Sequence, residues 1–444
     1  MPTLQVERPE DTTTREEIFP IIIASTLGSS IEWSDFFYYS FLAVTVFPVV
    51  FFPRLDPSAG IVASFTANFI GFAARPLGGF FFGHFGDRIG RKSTLVATLL
   101  LIGITTMLMG VLPSYASIGI MAPLLLAILR FLQGVGVGGE WGGSVLLTME
   151  FSDQRRRGFW TSWPQVGVPV GLILSSSSIL LFKSLYPGEA FQSVGWRIPF
   201  LLSTMLMVVG LYIRLRIPET PAFLRLKSRQ QSGEPSLSIW QLHWREILLS
   251  ALVRSGEQAP FYIFTTFVLS YGVEVLHLDA SLLYISLILA AAISFFTMPA
   301  FGGLSDHIGR RYTTIYGAVA MMLFVFPYFL LLNTRIPILV ILSLALSVGC
   351  AHACLYGPQA ALIAERFPTR IRYTGASLGY QLASIIAGGP APIIATYLLV
   401  HSSPQSPFTS AWMLIALYII ATALVSLLAA LFLKEYAGRA TVEE

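Results

Sequence analysis

Gly83-His84-Phe85-Gly86-Asp87-Arg88-Ile89-Gly90-Arg91-Lys92 closes an apolar run over 59–83. After a later apolar run the pattern returns as Gly302-Gly303-Leu304-Ser305-Asp306-His307-Ile308-Gly309-Arg310-Arg311. Glycine, aspartate, Ile-Gly and the basic pair align at one constant offset. A second pair of segments repeats with them: Glu150 with Arg155 to Gly158, and Glu365 with Arg370 to Gly375. Gln165 and Gln381 lie shortly inside the runs that follow. Such repetition predicts a duplicated scaffold, two halves of one design with a substrate site between them.

Composition says what the halves are made of. Of 444 residues, 55% are hydrophobic and only 12% charged, against roughly 25% charged in a soluble globular chain. Most of the surface must therefore face lipid, where every backbone polar group is satisfied internally by helices or a closed barrel. The apolar runs reach about 20 residues or more, the length of a crossing helix rather than of a barrel strand. The net charge of +4 sits in short loops, where it reads as a topology signal and not as a nucleic-acid surface. Cys350 and Cys354 share one apolar run, which excludes a disulfide framework and supplies too few ligands for a metal. No cofactor or metal is expected.

Candidate spans fall at 18–50, 59–83, 93–112, 117–149, 158–183 and 197–216, then 246–274, 281–304, 312–332, 336–364, 373–400 and 409–433. This predicts an all-α membrane protein of twelve helices in two six-helix bundles. The expected divisions are a tail over 1–17, a first bundle over 18–216, a linker over 217–245, a second bundle over 246–433 and a tail over 434–444. The linker composition, Lys227-Ser-Arg-Gln-Gln-Ser-Gly-Glu-Pro-Ser236, reads as a flexible tether. The first seventeen residues show no cleavable signal pattern. Lys and Arg concentrate in the loops on the side of both termini, including Arg88, Arg91, Lys92, Arg155, Arg156, Arg157, Arg310 and Arg311. The opposite side holds Arg54, Lys183, Arg197 and Arg335. The positive-inside rule then places both termini in the cytoplasm.

The loop chemistry suggests a gate. Gly83 and Gly90 permit close backbone approach and a sharp turn. Asp87 suits a helix N-terminus or an arginine, and Arg91 can reach a carboxylate such as Glu150. Asp306, Arg310 and Glu365 repeat the set in the second half. Contacts of this kind would hold the halves together on the cytoplasmic side and break on opening. A basic loop that only sets topology is the other reading.

These loops resemble the signature between spans two and three of the major facilitator superfamily and its weaker echo between spans eight and nine. Arg130-Phe-Leu-Gln133-Gly134 resembles a second motif of that superfamily. Four further segments resemble the bacterial metabolite:proton symporter family, whose members carry shikimate, α-ketoglutarate, citrate or proline/betaine. They are Ile31-Glu-Trp-Ser-Asp35-Phe-Phe37, Arg75-Pro-Leu-Gly-Gly79, Gly138-Gly-Glu140-Trp-Gly-Gly143 and Gly195-Trp-Arg-Ile-Pro199-Phe200. Ser34 stands where that family usually has an aromatic residue. The resemblance implies the major facilitator fold, alternating access and proton coupling, in a monomer of the bacterial inner membrane.

Charges inside the spans narrow the site, because each costs at least about 2.5–3.5 kcal/mol at the bilayer centre. Glu32 and Asp35 share one face of span one, three residues apart. Asp35 is the candidate for the coupling proton, with Glu32 as a like charge beside it and Arg130 biasing the same equilibrium. A local structural role for Asp35 is the alternative. Glu140 follows a glycine run and reads as structural or as a relay. Arg75 either snorkels to the loop or turns its guanidinium fork to a substrate carboxylate. Arg254 and Glu257 form either a structural pair or part of the site. Gln165, Tyr356, Gln359, Tyr380 and Gln381 lie on spans that line the cavity in the superfamily. They are candidates to orient substrate, or else to bond neighbouring helices. His352 reads as a packing residue or a proton relay. Gly134-Val-Gly136-Val-Gly138-Gly139 matches a dinucleotide fingerprint only formally, since it lies mid-span with no preceding strand.

The expectation is a proton-coupled symporter for a small organic anion or zwitterion, and not an enzyme. The alternatives are a sugar or polyol porter, suggested by Pro218-Glu-Thr-Pro221, and a receptor that binds a metabolite without moving it. Coupling chemistry is expected mainly in the first half.

Overall fold

The computed structural model describes residues 15–228, 236–401 and 411–436. Twelve long helical segments make up most of the described residues. The first six are α1 (Arg15–Thr45), α2 (Pro57–Arg88), α3 (Arg91–Val111), α4 (Met121–Glu150), α5 (Arg157–Leu185) and α6 (Arg197–Arg216). Next comes α7, Ser236–Tyr262 continued by π- and α-helical turns through Tyr271–Val275. The last five are α8 (Ala280–Ile308), α9 (Arg310–Asn333), α10 (Pro337–Ala364), α11 (Arg372–His401) and α12 (Ala411–Phe432). No strand occurs among the described residues.

Ten of these helices are long and apolar enough to cross a membrane by length and composition alone. The other two, α1 and α7, carry Glu32 with Asp35 and Arg254 with Glu257, all four nearly inaccessible. These helices lie at the interface of the halves, where a charged side chain meets protein and not lipid.

Three boundaries differ from the hydropathy reading. The first span ends at Thr45, and a short helix Phe47–Phe51 follows with Pro48 in its first turn. Proline lacks the N–H that a continuing helix needs, so the break falls just before it. Ahead of α4, the turn Tyr115–Ile118 is cut off by Gly119 at φ 60°. Between the halves, Pro221 opens a helix to Ser228, and α7 starts at Ser236 with a kink at His243. The linker expected over 217–245 is therefore helical over Pro221–Ser228 and from Ser236 onward, while residues 229–235 of its tether-like stretch lie outside the described residues.

Within the first half α1 packs on α5 and α6, and α3 on α4 and α6; within the second, α7 packs on α12 and α8 on α10. Two further pairings, α5 with α8 and α2 with α11, join the halves. Both depend on motif glycines. A Cβ on Gly83 would stand 2.6 Å from Thr374 Cα, and one on Gly302 would stand 2.6 Å from Gly158 O. The glycine run in α4 serves the same end inside the first half, since a Cβ on Gly138 would fall 2.0 Å from Arg75 O. That run is a helix-packing surface.

Gly90 and Gly309 make the turns from α2 to α3 and from α8 to α9, with φ of 127° and 102°. Side chains are strained there, and a Cβ on Gly90 would also press on Glu219 at 2.2 Å. Gly90→Ala and Gly309→Ala should each cost about 1–3 kcal/mol, read as a lower thermal unfolding midpoint of the purified protein. Unchanged midpoints in both variants would refute the conformational demand.

Candidate functional site

At the basic end of the bundle, two carboxylates cross between the halves. Asp87 leaves the end of α2 and accepts hydrogen bonds from Tyr373 N (3.2 Å), Thr374 N (3.0 Å) and Thr374 Oγ1 (2.7 Å), in the first turn of α11. Asp306 leaves the end of α8 and accepts from Gly158 N (2.8 Å) and Phe159 N (2.9 Å), in the first turn of α5. Each carboxylate satisfies N–H groups that have no partner within their own helix, and meets the positive end of its dipole. Behind them, Arg91 lies 3.4 Å from Asp87 and 3.5 Å from Glu150. Arg310 lies 2.9 Å from Asp306 and 2.7 Å from Glu365. Arg88 is exposed, and no ion pair joins it to this set.

Two residues that the sequence reading gave no part in the gate complete these junctions. Glu219, after α6, accepts from Arg91 N at 3.0 Å and Lys92 N at 3.3 Å. Glu435, after α12, accepts from Arg311 N at 2.8 Å. Each caps the helix that follows a motif turn. Their signal was positional, one carboxylate just past the last span of each half.

Midway along the bundle, aromatic side chains surround the charges. Arg75 is 3% exposed, its guanidinium carbon 4.4 Å from the Phe72 ring centre and 5.1 Å from that of Phe36. It does not snorkel to the loop. Tyr262 of α7 packs edge-on against Phe72 at 5.0 Å, joining this aromatic group to the second half. The Tyr262 hydroxyl has no hydrogen-bond partner among the described residues and lies within electrostatic reach of both Arg75 and Arg254.

Asp35 is fully buried, and neither carboxylate oxygen has a hydrogen-bond partner among the described residues. The hydroxyls of Thr106 and Ser203 lie near it. Arg130 bonds Asn68 and Gln133 and covers the Tyr39 ring at 3.9 Å. Gln133 in turn donates to Thr106 Oγ1 at 2.7 Å. A polar chain thus runs from Arg130 to the neighbourhood of Asp35, with no ion pair between the two. Glu32 has Glu140, Arg75 and Arg214 as its main charged neighbours, ahead of Asp35.

These pieces assemble in a chain whose residues 18–392 match a family model described as Major Facilitator Superfamily. The chain belongs to that superfamily. It is 41% identical over 384 residues to the inner membrane metabolite transport protein YhjE of Escherichia coli (strain K12), covering 85% of this chain and 87% of the relative. It is 36% identical to the shikimate transporter of the same organism, covering 93% and 94%. With the proline/betaine transporter of Salmonella typhimurium it shares 34% identity, over 94% and 84%. In fold it is similar to the proton:xylose symporter XylE, with a TM-score of 0.73, 20% identity and coverage of 96% and 98%. This is a multi-pass membrane transporter of the major facilitator superfamily.

In this major facilitator chain several candidate substrate residues are occupied by contacts between the halves. Gln165 accepts from Trp141 Nε1 at 2.8 Å and donates to Tyr356 O at 3.1 Å. Gln381 donates to Val137 O at 3.2 Å. Tyr380 stacks on Trp141 at 3.6 Å and shares a hydroxyl–hydroxyl bond of 2.8 Å with Tyr356. Gln359 is buried, and its Oε1 has no partner among the described residues. Arg254 donates to Tyr380 O at 3.0 Å, lies over the Tyr380 ring and stands 3.6 Å from Glu257.

Glu140 is bound on all sides. Arg214 of α6 holds both its oxygens, Thr98 Oγ1 donates at 2.9 Å and Ser144 Oγ at 3.0 Å. Arg214 lies in the last turn of the expected 197–216 span, where the sequence reading gave it no role, and the structure buries it to 3% exposure. Arg214→Gln should cost about 3–5 kcal/mol, because it strands a buried carboxylate. Adding Glu140→Gln should recover most of the loss in thermal midpoint. A double variant no more stable than Arg214→Gln would sink the ion-pair account.

Proposed function

We propose that this protein couples the inward movement of protons to uptake of a small organic acid, by alternating access between its two halves. One observation carries the reading. Arg75 of α2 and Arg254 of α7 come from opposite halves, and the buried Tyr262 hydroxyl lies within electrostatic range of both. A carboxylate seated there would offer both guanidinium groups an anionic partner and draw the halves together. Two relatives are named as transporters of shikimate and of proline/betaine, molecules that carry a carboxylate.

Asp35 is the residue we assign to the coupling proton, since its buried carboxylate has no other hydrogen-bond partner among the described residues. The Arg130–Gln133–Thr106 chain would report its state to the rest of the first half. We place the basic end in the cytoplasm, with both termini there. Asp87 and Asp306 then form the cytoplasmic gate, with Arg91, Glu150, Arg310 and Glu365 behind them. Substrate and proton each shift the balance only by binding one arrangement better than the other.

Proteoliposomes with acid outside test this, using labelled shikimate, proline and glycine betaine. At least one should accumulate against its gradient. Asp35→Asn should abolish accumulation while retaining exchange, and Arg75→Ala should weaken uptake about tenfold or more, the loss of a charged hydrogen bond. A sugar taken up independently of Arg75 would favour a polyol porter. Binding without accumulation would favour a receptor.

The gate has its own test. Asp306→Asn replaces a carboxylate that accepts two backbone N–H bonds and one from Arg310 by a neutral amide with one acceptor oxygen. Loss of the negative charge at the helix end should weaken closure by about 1 kcal/mol. Spin labels on the basic ends of α5 and α8 should then show a larger long-distance population. A distribution identical to the wild type would remove Asp306 from the gate.

A further inference from the structure

The second half holds a buried acid–base pair that the proposed mechanism leaves unused. His352 Nε2 lies 2.9 Å from Glu257 Oε1, with His352 1% and Glu257 2% exposed. The imidazole is stacked on Phe261 at 4.3 Å and on Tyr356 at 5.1 Å, so its orientation is held from both sides. A π-helical stretch, Ser347–His352, ends on this histidine, and such widened turns recur at functional positions. Two polar atoms at the pair have no hydrogen-bond partner among the described residues: His352 Nδ1 and Glu257 Oε2. Glu257 Oε2 faces Arg254 Nε across 3.6 Å, close enough for charge balance but too long for a hydrogen bond.

These distances define a charge balance. Arg254 and Glu257 neutralise each other. The other titratable or charged groups in electrostatic reach are Tyr262 of the same helix, Tyr356 of α10, Tyr380 of α11 and, beyond Tyr262, Arg75 of α2. With Glu257 ionised, the bond to it requires Nε2–H on a neutral ring, which leaves Nδ1 as a bare lone pair. A substrate carboxylate that engages Arg254 adds one negative charge to this dry site. An uncompensated charge there is expensive, and the vacant Nδ1 is where a proton restores neutrality.

We propose that His352 is a second proton acceptor, taking one proton on Nδ1 when a carboxylate engages Arg254 and giving it up when the carboxylate leaves. The imidazolium then replaces Arg254 as the cation that holds Glu257. One proton is taken from solvent for each carboxylate bound, and no other bond changes. The inference rests on the carboxylate site proposed above and adds a coupling station in the second half, where the sequence offered His352 as either a packing residue or a proton relay.

Removing the Arg254 charge mimics substrate capture without any substrate. Ring-nitrogen NMR of lipid-reconstituted protein labelled with 15N-histidine reads the outcome, with His352→Gln identifying the signal. Wild type at neutral pH should show one protonated and one bare ring nitrogen at His352. In Arg254→Gln both should be protonated at the same pH, and in Arg254→Gln/Glu257→Gln the bare nitrogen should return. A folded Arg254→Gln protein with an unchanged His352 signal would overturn the proposal.

Should that variant not fold, Glu257→Gln alone decides. In mildly acidic buffer the wild-type ring should be doubly protonated and the Glu257→Gln ring should not; matching rings would overturn the proposal. Neither measurement needs transport. Failed uptake with a responsive His352 would therefore sink symport and leave this charge exchange standing. Uptake that needs Asp35 while His352 stays inert would do the reverse.

Discussion

A carboxylate set against the N-terminus of a helix in the other half is the contact that most of this architecture serves. Asp87 and Asp306 can reach the first turns of α11 and α5 only because the helices touch at Gly83 and at Gly158 with Gly302. The positive-φ turns at Gly90 and Gly309 return the chain so that Arg91 and Arg310 stand behind those carboxylates. Glu219 and Glu435 fix the helices that carry the arginines. Each helix-end contact is worth about 1 kcal/mol. In the proposed cycle, a junction built from a few such terms would hold the basic end closed and open at a cost that ligand binding can meet.

The centre of the molecule follows a different constraint. Charges out of water must be balanced close at hand. Glu140 with Arg214 is closed off by hydroxyls on either side and reads as framework. Asp35, the Tyr262 hydroxyl, His352 Nδ1 and Glu257 Oε2 share the opposite condition: buried, and without a hydrogen-bond partner among the described residues. Those groups sit on α1, α7 and α10, around aromatic contacts that cross between the halves.

Legibility in the sequence tracked how local each signal was. Twelve helices, their duplication and the motif pairs were readable because hydropathy and spacing are properties of consecutive residues. Arg75 and Asp35 stood out because a charge within an apolar run is conspicuous on its own. Arg214 did not, since it lies in the last turn of α6 among other basic residues and its partner is on α4. His352 was a lone histidine until α7 brought Glu257 to it. Gln165, Gln381, Trp141 and Tyr380 were polar or aromatic residues of unknown direction, and packing turned them toward the opposing half.

By itself, then, the sequence determined that this chain lies in a membrane as paired helical bundles, and where each half keeps its glycine–aspartate–arginine turn. Both follow from local chemistry: apolar length, the conformational freedom of glycine, and the cost of charge in lipid. Tertiary structure alone decided the partners, namely Asp87 with α11, Asp306 with α5, Glu140 with Arg214 and Glu257 with His352. The reason is distance along the chain. Each of these contacts joins residues that lie far apart in sequence, and no periodicity within a span carries information about which helix will lie against it.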